Sequence, residues 1–375
     1  MNKLYYVSYL DDWGSGISKK IQNQIDFFKR NNYDVEYISL FKKIGKMQKY
    51  LLKLLPFCSE YDYSKLNNVT NLIFIRYGKI DFQGYMSLKK IKKKNCNIIV
   101  EIPTFPYDGE LNYLDKILSY KDKFWRNKIH KYVSSIVTYS DDEFIFGVKC
   151  INTSNFGDQN LSRKKHINIS NNQINLIAVA SLGFWHGYDR MIMGLAEYYN
   201  SKEKDKRNIV FHLVGDGKEL DKYHRMIEKY YLEDHVILYG KKVGQELDHL
   251  YDKCDIAVDT LGRHRSKIFY NSTIKGKDYL MKGLPIISGV KTELDSDIDF
   301  PYYLRVPADD TPIKMKSIIS FYDKIYNNKD YDEISLRIRK YGLEKYNVNT
   351  CMKPILNEMK QIEDQRSKEK ECIGY

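Results

Sequence analysis

Lys275-Gly-Lys-Asp-Tyr-Leu-Met-Lys-Gly-Leu-Pro-Ile-Ile-Ser-Gly289 reads as a short helix stopped by Gly283, then Pro285 leading into an apolar strand. Two cations and a carboxylate, Lys275, Lys277 and Asp278, fall at the start of that helix, beside Gly276. The first amides of a helix lack intrahelical partners and its dipole is positive there, so the start attracts anions. With Lys275 added, the turn is a seat for a diphosphate, and the Asp278 carboxylate can accept hydrogen bonds from a ribose. An ordinary crossover helix with solvated charges fits the same residues.

The alternation of helix and strand extends in both directions. In the first half, Leu4–Tyr9, Val35–Leu40, Leu72–Arg76, Asn97–Ile102, Ser135–Tyr139 and Lys149–Thr153 read as strands. Helical patterns lie between several of them, most clearly at Ile17, Ile21, Ile25 and Phe28. The segment Asp158–Gln173 is polar, basic and aperiodic, which suits a linker. A second series follows at Leu176–Ala180, Ile209–Val214, His235–Tyr239, Asp255–Asp259 and Pro285–Ser288, with Tyr302–Val306 as a last strand. From about Pro312 the chain is helical, ending in a charged tail from Glu363. Apolar strands alternating with amphipathic helices indicate α/β architecture with parallel, doubly wound sheets. The 375 residues suffice for two domains.

Composition narrows the function classes. Hydrophobic residues make up 43% and charged residues 29%, so the chain is globular rather than disordered. It has no run of about 18 apolar residues and no apolar signal-peptide core at its start. The six cysteines are scattered without paired metal spacing, and reduced thiols in a cytoplasmic protein are expected. A net charge of +12 suits nucleic acid, anionic lipid or phosphorylated ligands, yet no nucleic-acid module is recognisable. One basic segment stands apart. Phe41–Phe57 places Phe41, Ile44, Met47, Leu51 and Leu54 or Leu55 at helical spacing, with Lys42, Lys43, Lys46, Lys49 and Lys53 largely on the other faces. Such a basic amphipathic helix suits an anionic membrane surface, here the inner face of the plasma membrane, or packs its stripe on its own core.

Ligands bind at the carboxyl ends of strands in doubly wound sheets. In the second half those positions are Ser181–Gly187, Gly215-Asp-Gly217, Tyr239 with Gly240-Lys-Lys242, and Asp259–Arg265. Glycines there permit close backbone approach, and His186, Arg263, His264, Arg265 and Lys275 are cations able to converge on a diphosphate. In the first half, Gly14-Ser-Gly16 opens a helix after the first strand, and Tyr107, Asp108 and Glu110 follow a later strand. A plain turn around Pro106 and Gly109 accounts equally for the last three.

The order of these motifs resembles retaining glycosyltransferases of family 4, over most of the chain. The resemblance rests on Gly14-Ser-Gly16, Asn155-Phe-Gly-Asp158, Phe184-Trp-His-Gly-Tyr-Asp189, Leu213-Val-Gly-Asp-Gly217, Val236-Ile-Leu-Tyr-Gly240, Tyr251–Val258 and Asp278–Pro285. It implies a GT-B fold, two facing Rossmann-like domains. Residues 1–160 would form the acceptor-side domain and 161–347 the nucleotide-sugar domain, with a helix from about 348 to 375 packing back on the first. The departures matter as much. Ser181 stands for the family's arginine, His186 for its lysine, Tyr270 for the first of two glutamates, and Asp278 for the second.

What the resemblance implies is sugar transfer from a nucleotide diphosphate sugar, a UDP-sugar first and GDP as the alternative base, to a hydroxyl of a lipid-linked glycan. Configuration would be retained, and the setting would be bacterial capsule, lipopolysaccharide or exopolysaccharide synthesis. His186, Lys275 and Arg265 would be catalytic. Gly14, Gly16, Ser181, Gly215, Tyr239, Gly240, Arg263, His264, Gly276, Lys277 and Asp278 would hold the donor, and Tyr107, Asp108 and Glu110 would face the acceptor. No cofactor is expected, and helix-end amides and cations would replace a metal. The pair Asp295 and Asp297 has the spacing of metal-dependent transferases of a different fold. A catalytically inactive partner subunit and a sugar-nucleotide epimerase are the rival readings.

Overall fold

The computed structural model describes residues 2–10, 16–111, 115–116, 119–165, 173–202, 205–327 and 329–373. The chain divides into two compact units, Met1–Thr153 with Val348–Tyr375, and Ser154–Asn347.

The first unit is built on strands β1 (Asn2–Ser8), β2 (Tyr33–Ser39), β3 (Leu72–Arg76), β4 (Asn97–Ile102), β5 (Ser135–Thr138), β6 (Phe144–Ile145) and β7 (Val148–Asn152). Their order is β2-β1-β3-β4-β5-β7-β6, parallel except for the short β6–β7 hairpin. Every residue of β3 is buried, as a central strand covered on both faces requires. Around the sheet lie α1 (Gly16–Arg30), α2 (Lys46–Leu54), α3 (Phe82–Lys93), α4 (Tyr120–Arg126) and the C-terminal helix Val348–Ile373, which packs on α1.

The helix expected over Phe41–Phe57 is shorter than its pattern. Phe41 pairs with Tyr61 in an isolated antiparallel bridge, Gly45 is the N-cap, and Leu55 is already extended. Leu55 precedes Pro56, whose ring disfavours helical backbone in the residue before it.

A buried ionic cluster ties this unit together. The Glu101 carboxylate, fully buried on β4, meets Arg76 at 2.7 Å and Lys20 at 3.1 Å, and also accepts bonds from Gln24 and Tyr139. Burial alone would raise its pKa. Two cations and two neutral donors outweigh that and hold it at about 2. Lys20 has one carboxylate against the same burial, and its pKa falls to about 8.

The second unit carries β8 (Gln173–Val179), β9 (Asn208–Val214), β10 (Val236–Leu238), β11 (Ile256–Val258), β12 (Ile286–Ser288) and β13 (Tyr303–Arg305). All are parallel, in the order β10-β9-β8-β11-β12-β13. The connecting helices are α5 (Tyr188–Asn200), α6 (Leu220–Tyr230), α7 (Gly244–Asp252), α8 (Ile274–Lys282), α9 (Met315–Tyr326) and α10 (Tyr331–Lys345). The chain builds outward from β8 to β10, then returns to the other side of β8 for β11. That reversal creates a switch point between β8 and β11.

The segment expected as a linker from Asp158 packs on this unit as far as it is described. Lys164 is buried, its ammonium donating to the Cys254 carbonyl and its amide to the Lys282 carbonyl at 3.0 Å. Arg339 donates to the Leu161 carbonyl at 2.7 Å. Residues 166–172 lie outside the described residues.

Glu101→Gln leaves two cations facing a neutral amide in the interior. It is expected to destabilise the first unit by about 3–5 kcal/mol in urea unfolding at pH 7. Because the folded pKa lies below the ordinary 4.5, the wild-type contribution is complete above that value and is lost as pH falls toward about 2. The variant should lack this acid-sensitive component.

Candidate functional site

The switch point of the second sheet collects the chemistry. The loop after β8, Ser181–Gly187, meets the loop after β11, Asp259–Ser266, through backbone. The Leu261 amide donates to the His186 carbonyl at 2.7 Å. Gly187 has φ +64°, and a Cβ there would lie 2.5 Å from the Gly262 nitrogen. Only glycine meets both demands.

Asp259, just past β11, is the anchor. Its carboxylate is 1% exposed. Oδ2 accepts a hydrogen bond from Thr273 Oγ1 at 2.6 Å, and Thr273 Oγ1 in turn accepts the Gly276 amide at 3.1 Å as N-cap of α8. Oδ1 lies 3.7 Å from Lys275 Nζ. Lys275 Nζ also donates to the Tyr188 hydroxyl at 3.2 Å, and the Tyr188 ring stacks on His186 with centroids 5.5 Å apart. One carboxylate therefore sets the start of α8, the lysine on its first turn and, through Tyr188, the histidine of the β8 loop.

The electrostatics follow. Burial lowers the pKa of Lys275 to about 8; Asp259 opposes this and the nearby Arg263 adds to it. Burial, then the charges of Lys275 and Arg263, pull His186 well below the usual imidazole range. His186 Nδ1 accepts the Gly183 amide at 3.0 Å, which leaves the ring proton on Nε2. The imidazole expected as a cation is thus a neutral donor. Arg263 stands 6.0 Å from the Trp185 ring. Asp259 Oδ1, Thr260 Oγ1, His264 Nδ1 and Ser266 Oγ, all in the β11 loop, are buried without a hydrogen-bond partner among the described residues.

Asp278, one turn further along α8, accepts the Asp158 amide at 2.9 Å through Oδ1. The Asn155-Phe-Gly-Asp158 element thereby lies against α8. The Asn155 amide donates to Ser272 Oγ at 2.9 Å, and a Cβ on Gly157 would lie 2.8 Å from the Lys277 carbonyl.

Several candidates have other occupations. Arg265 grips Asp189 through both terminal nitrogens at 2.9 and 3.0 Å and Asp310 through Nε at 2.7 Å. Its charge is neutralised, and it fastens the β11 loop to α5. His264 Nε2 lies 3.1 Å from the same Asp310. Lys277, in the first turn of α8, is buried with its ammonium 2.7 Å from Glu293 and over the Tyr346 ring. The Gly276 amide serves the threonine cap, and the Gly215 amide serves the Gly240 carbonyl at 2.8 Å. Ser181 is exposed. Tyr239 is fixed by a 2.9 Å contact between its hydroxyl and His212 Nδ1, and Gly240 beside it has open space where a Cβ would be. Gly14 lies outside the described residues, and Gly16 opens α1.

In the first unit, the Tyr107 hydroxyl donates to Asp122 at 2.6 Å and Asp108 pairs with Arg126 at 2.7 Å. Glu110 ends the same short turn, Asp108–Glu110. Asp295 accepts the Thr292 amide and the Tyr303 hydroxyl, while Asp297 accepts the Tyr341 hydroxyl. Among the described residues no group of three or more His, Cys, Asp or Glu is placed to hold a metal ion.

Residues 159–261 match the family model described as glycosyl transferases group 1. No curated protein sequence matches the chain. Solved structures do. HepE of Anabaena in complex with UDP is 13% identical with a TM-score of 0.60, covering 96% of this chain and 100% of that one. The chain has a GT-B fold. The lipopolysaccharide outer core galactosyltransferase WaaB is 12% identical with a TM-score of 0.58, covering 95% and 98%. Sucrose-phosphate synthase of Thermosynechococcus elongatus is 11% identical with a TM-score of 0.63, covering 98% and 100%.

If Lys275 holds an anion, binding must follow its protonation. UDP affinity, measured by calorimetry, is expected to be greatest near pH 7 and to fall as pH rises through about 8. Lys275→Met should weaken binding and flatten that fall. His186, neutral throughout, should contribute no step between pH 6 and 8.

Proposed function

We propose that this chain transfers a sugar from a nucleoside diphosphate sugar, a UDP-sugar first, to a hydroxyl of a lipid-linked glycan. Transfer proceeds with retention and without a metal, in the synthesis of a bacterial surface polysaccharide. The observation that carries this reading is the cation pair Lys275 and Arg263. Lys275 lies 3.7 Å from the buried Asp259 carboxylate, with Arg263 close enough to act on its charge, at the switch point of a sheet whose β8–β11 region matches a glycosyltransferase model. Neighbours of the same fold support the donor class: HepE was solved with UDP and with UDP-glucose, and WaaB is named a galactosyltransferase.

In this reading Lys275 and Arg263 bind the diphosphate, and His186 Nε2–H donates a neutral hydrogen bond to the donor. Asp278 receives the ribose hydroxyls, and Tyr239 with Gly240 flanks the base. When the bond from the sugar's anomeric carbon to the diphosphate breaks, negative charge grows on the leaving oxygen. A preorganised lysine stabilises that charge more in the transition state than in the ground state. Burial strengthens the effect, since the ammonium has little water to exchange for the phosphate.

Two measurements test this. UDP at about 100 times its dissociation constant should stabilise the protein by about 2.7 kcal/mol, raising its melting temperature. Asp278→Asn keeps an oxygen for the Asp158 amide, so it should fold normally and bind donor more weakly. Lys275→Ala should lower kcat more than it weakens donor binding. Sugar-transfer kinetics on folded variants decide the matter. A flat thermal response to UDP, GDP and their sugars would favour the inactive-partner reading, which Tyr270 in place of the family's carboxylate motivates. Interconversion of sugar nucleotides without acceptor would favour the epimerase.

A further inference from the structure

The first unit carries a helix turned inside out. In α2, Met47, Tyr50, Leu51 and Leu54 follow the i, i+3, i+4, i+7 rule of a buried stripe, yet they face solvent. Met47 is 79% exposed, Leu51 56% and Leu54 58%, and Phe57 beyond the helix is 65% exposed. The side toward the protein is held by polar contacts instead. Lys121 donates to the carbonyls of Leu52 and Cys58 at 2.6 and 2.8 Å, and the Tyr120 hydroxyl donates to the Leu54 carbonyl at 2.8 Å. Lys53 pairs with Asp115 and Lys49 with Glu60, each at 3.3 Å. The exposed apolar surface continues onto α4: Phe57 packs on Phe82, Phe82 on Trp125, and Trp125 on the exposed Phe124.

Water alone would not hold such a stripe outward, and a contiguous apolar face of this kind marks a contact surface. Charge identifies the contact. Residues 41–57 contain five lysines and no acid. Glu60 and Asp115, the acids paired with α2, are neutralised by its lysines. Lys42 and Lys43 are exposed at its entrance, and Lys128 lays its ammonium 3.7 Å over the Phe124 ring. A row of apolar side chains rimmed by lysines matches an anionic bilayer, whose headgroups take the cations while the acyl boundary takes the leucines and aromatics. Among the described residues no helix is long and apolar enough to cross a membrane.

We propose that the surface formed by α2, Phe57 and Phe124 docks this protein on an anionic lipid bilayer, lying in its interface. This rests on the surface alone and not on the donor reading, although it would bring a lipid-linked acceptor to the enzyme.

The test is flotation of the full chain with vesicles of phosphatidylcholine, with and without about one third phosphatidylglycerol, alongside UDP calorimetry on the same samples. Wild type is expected to float with the anionic vesicles, and to be released by high salt. The double variant Leu51→Gln, Leu54→Gln should lose vesicle binding at least about tenfold while keeping its melting temperature and UDP affinity, because both side chains are already exposed. Lys42→Gln with Lys43→Gln should weaken binding roughly thirtyfold, at about 1 kcal/mol per lysine. Equal flotation of wild type and the leucine variant overturns the proposal, as does absence of wild-type binding to anionic vesicles. A wild-type dimer in sedimentation that the leucine variant dissociates, without lipid binding, would assign the face to a second copy instead. Loss of UDP binding in wild type would count against the donor reading and leave this one standing.

Discussion

A single buried carboxylate organises the second unit. Asp259 ends β11, and its two oxygens serve different neighbours: one receives the hydroxyl that caps α8, the other faces the lysine on the first turn of that helix. Lys275 then reaches Tyr188 and, through its ring, His186 in the loop after β8. Both edges of the switch point are thus held to one charge. The Gly187–Gly262 approach allows it, because any Cβ at Gly187 would drive the two loops apart. Without Asp259 the helix start, the lysine and the β8 loop would lose their common reference.

The arrangement is costly in isolation and apt for a ligand. A largely buried lysine with one carboxylate at 3.7 Å is incompletely compensated, which is why its pKa falls to about 8. A dianionic phosphate beside it would reverse that imbalance. The neutral His186 adds a directed N–H without adding a charge that Lys275 and Arg263 would repel. The contrast with Glu101 is instructive. There two cations and two neutral donors meet one carboxylate, so it is the carboxylate that is compensated, while Lys20, like Lys275, is lowered to about 8 by burial; the cluster serves the first unit's stability.

Much of this was legible in the sequence, and the failures have physical causes. Strands β3 and β4 coincide with the largely apolar runs Leu72–Arg76 and Asn97–Ile102, because central parallel strands are apolar over most of their length. The two-residue strand β6 left no pattern to read. Lys275 and Asp278 were visible because a helix start can be read locally. The ion pairs of Arg265 and Lys277 were not legible, because charge is local but pairing is not. Their partners Asp189 and Glu293 lie 76 and 16 residues away in the chain. Asp259 was read at a strand end but without its anchoring role, because its partners Thr273 and Lys275 lie on another element, and Thr273 went unremarked. The threonine three residues before Gly276 was the available signal, since an N-cap hydroxyl reaches the amide three positions on. The apolar stripe of α2 was readable, but its outward orientation was not, because a periodic stripe does not say which side the protein is on.

The account stands on the β8–β11 switch point being where a nucleoside diphosphate binds. Hydrogen exchange of the full chain with and without UDP tests this most directly. Slower exchange is expected in the loop after β8, around Gly183 to Gly187, in the loop after β11, around Thr260 to Ser266, and in the first turn of α8. Helix α2 should remain unchanged. Protection confined to other segments, or none at saturating UDP, would contradict it.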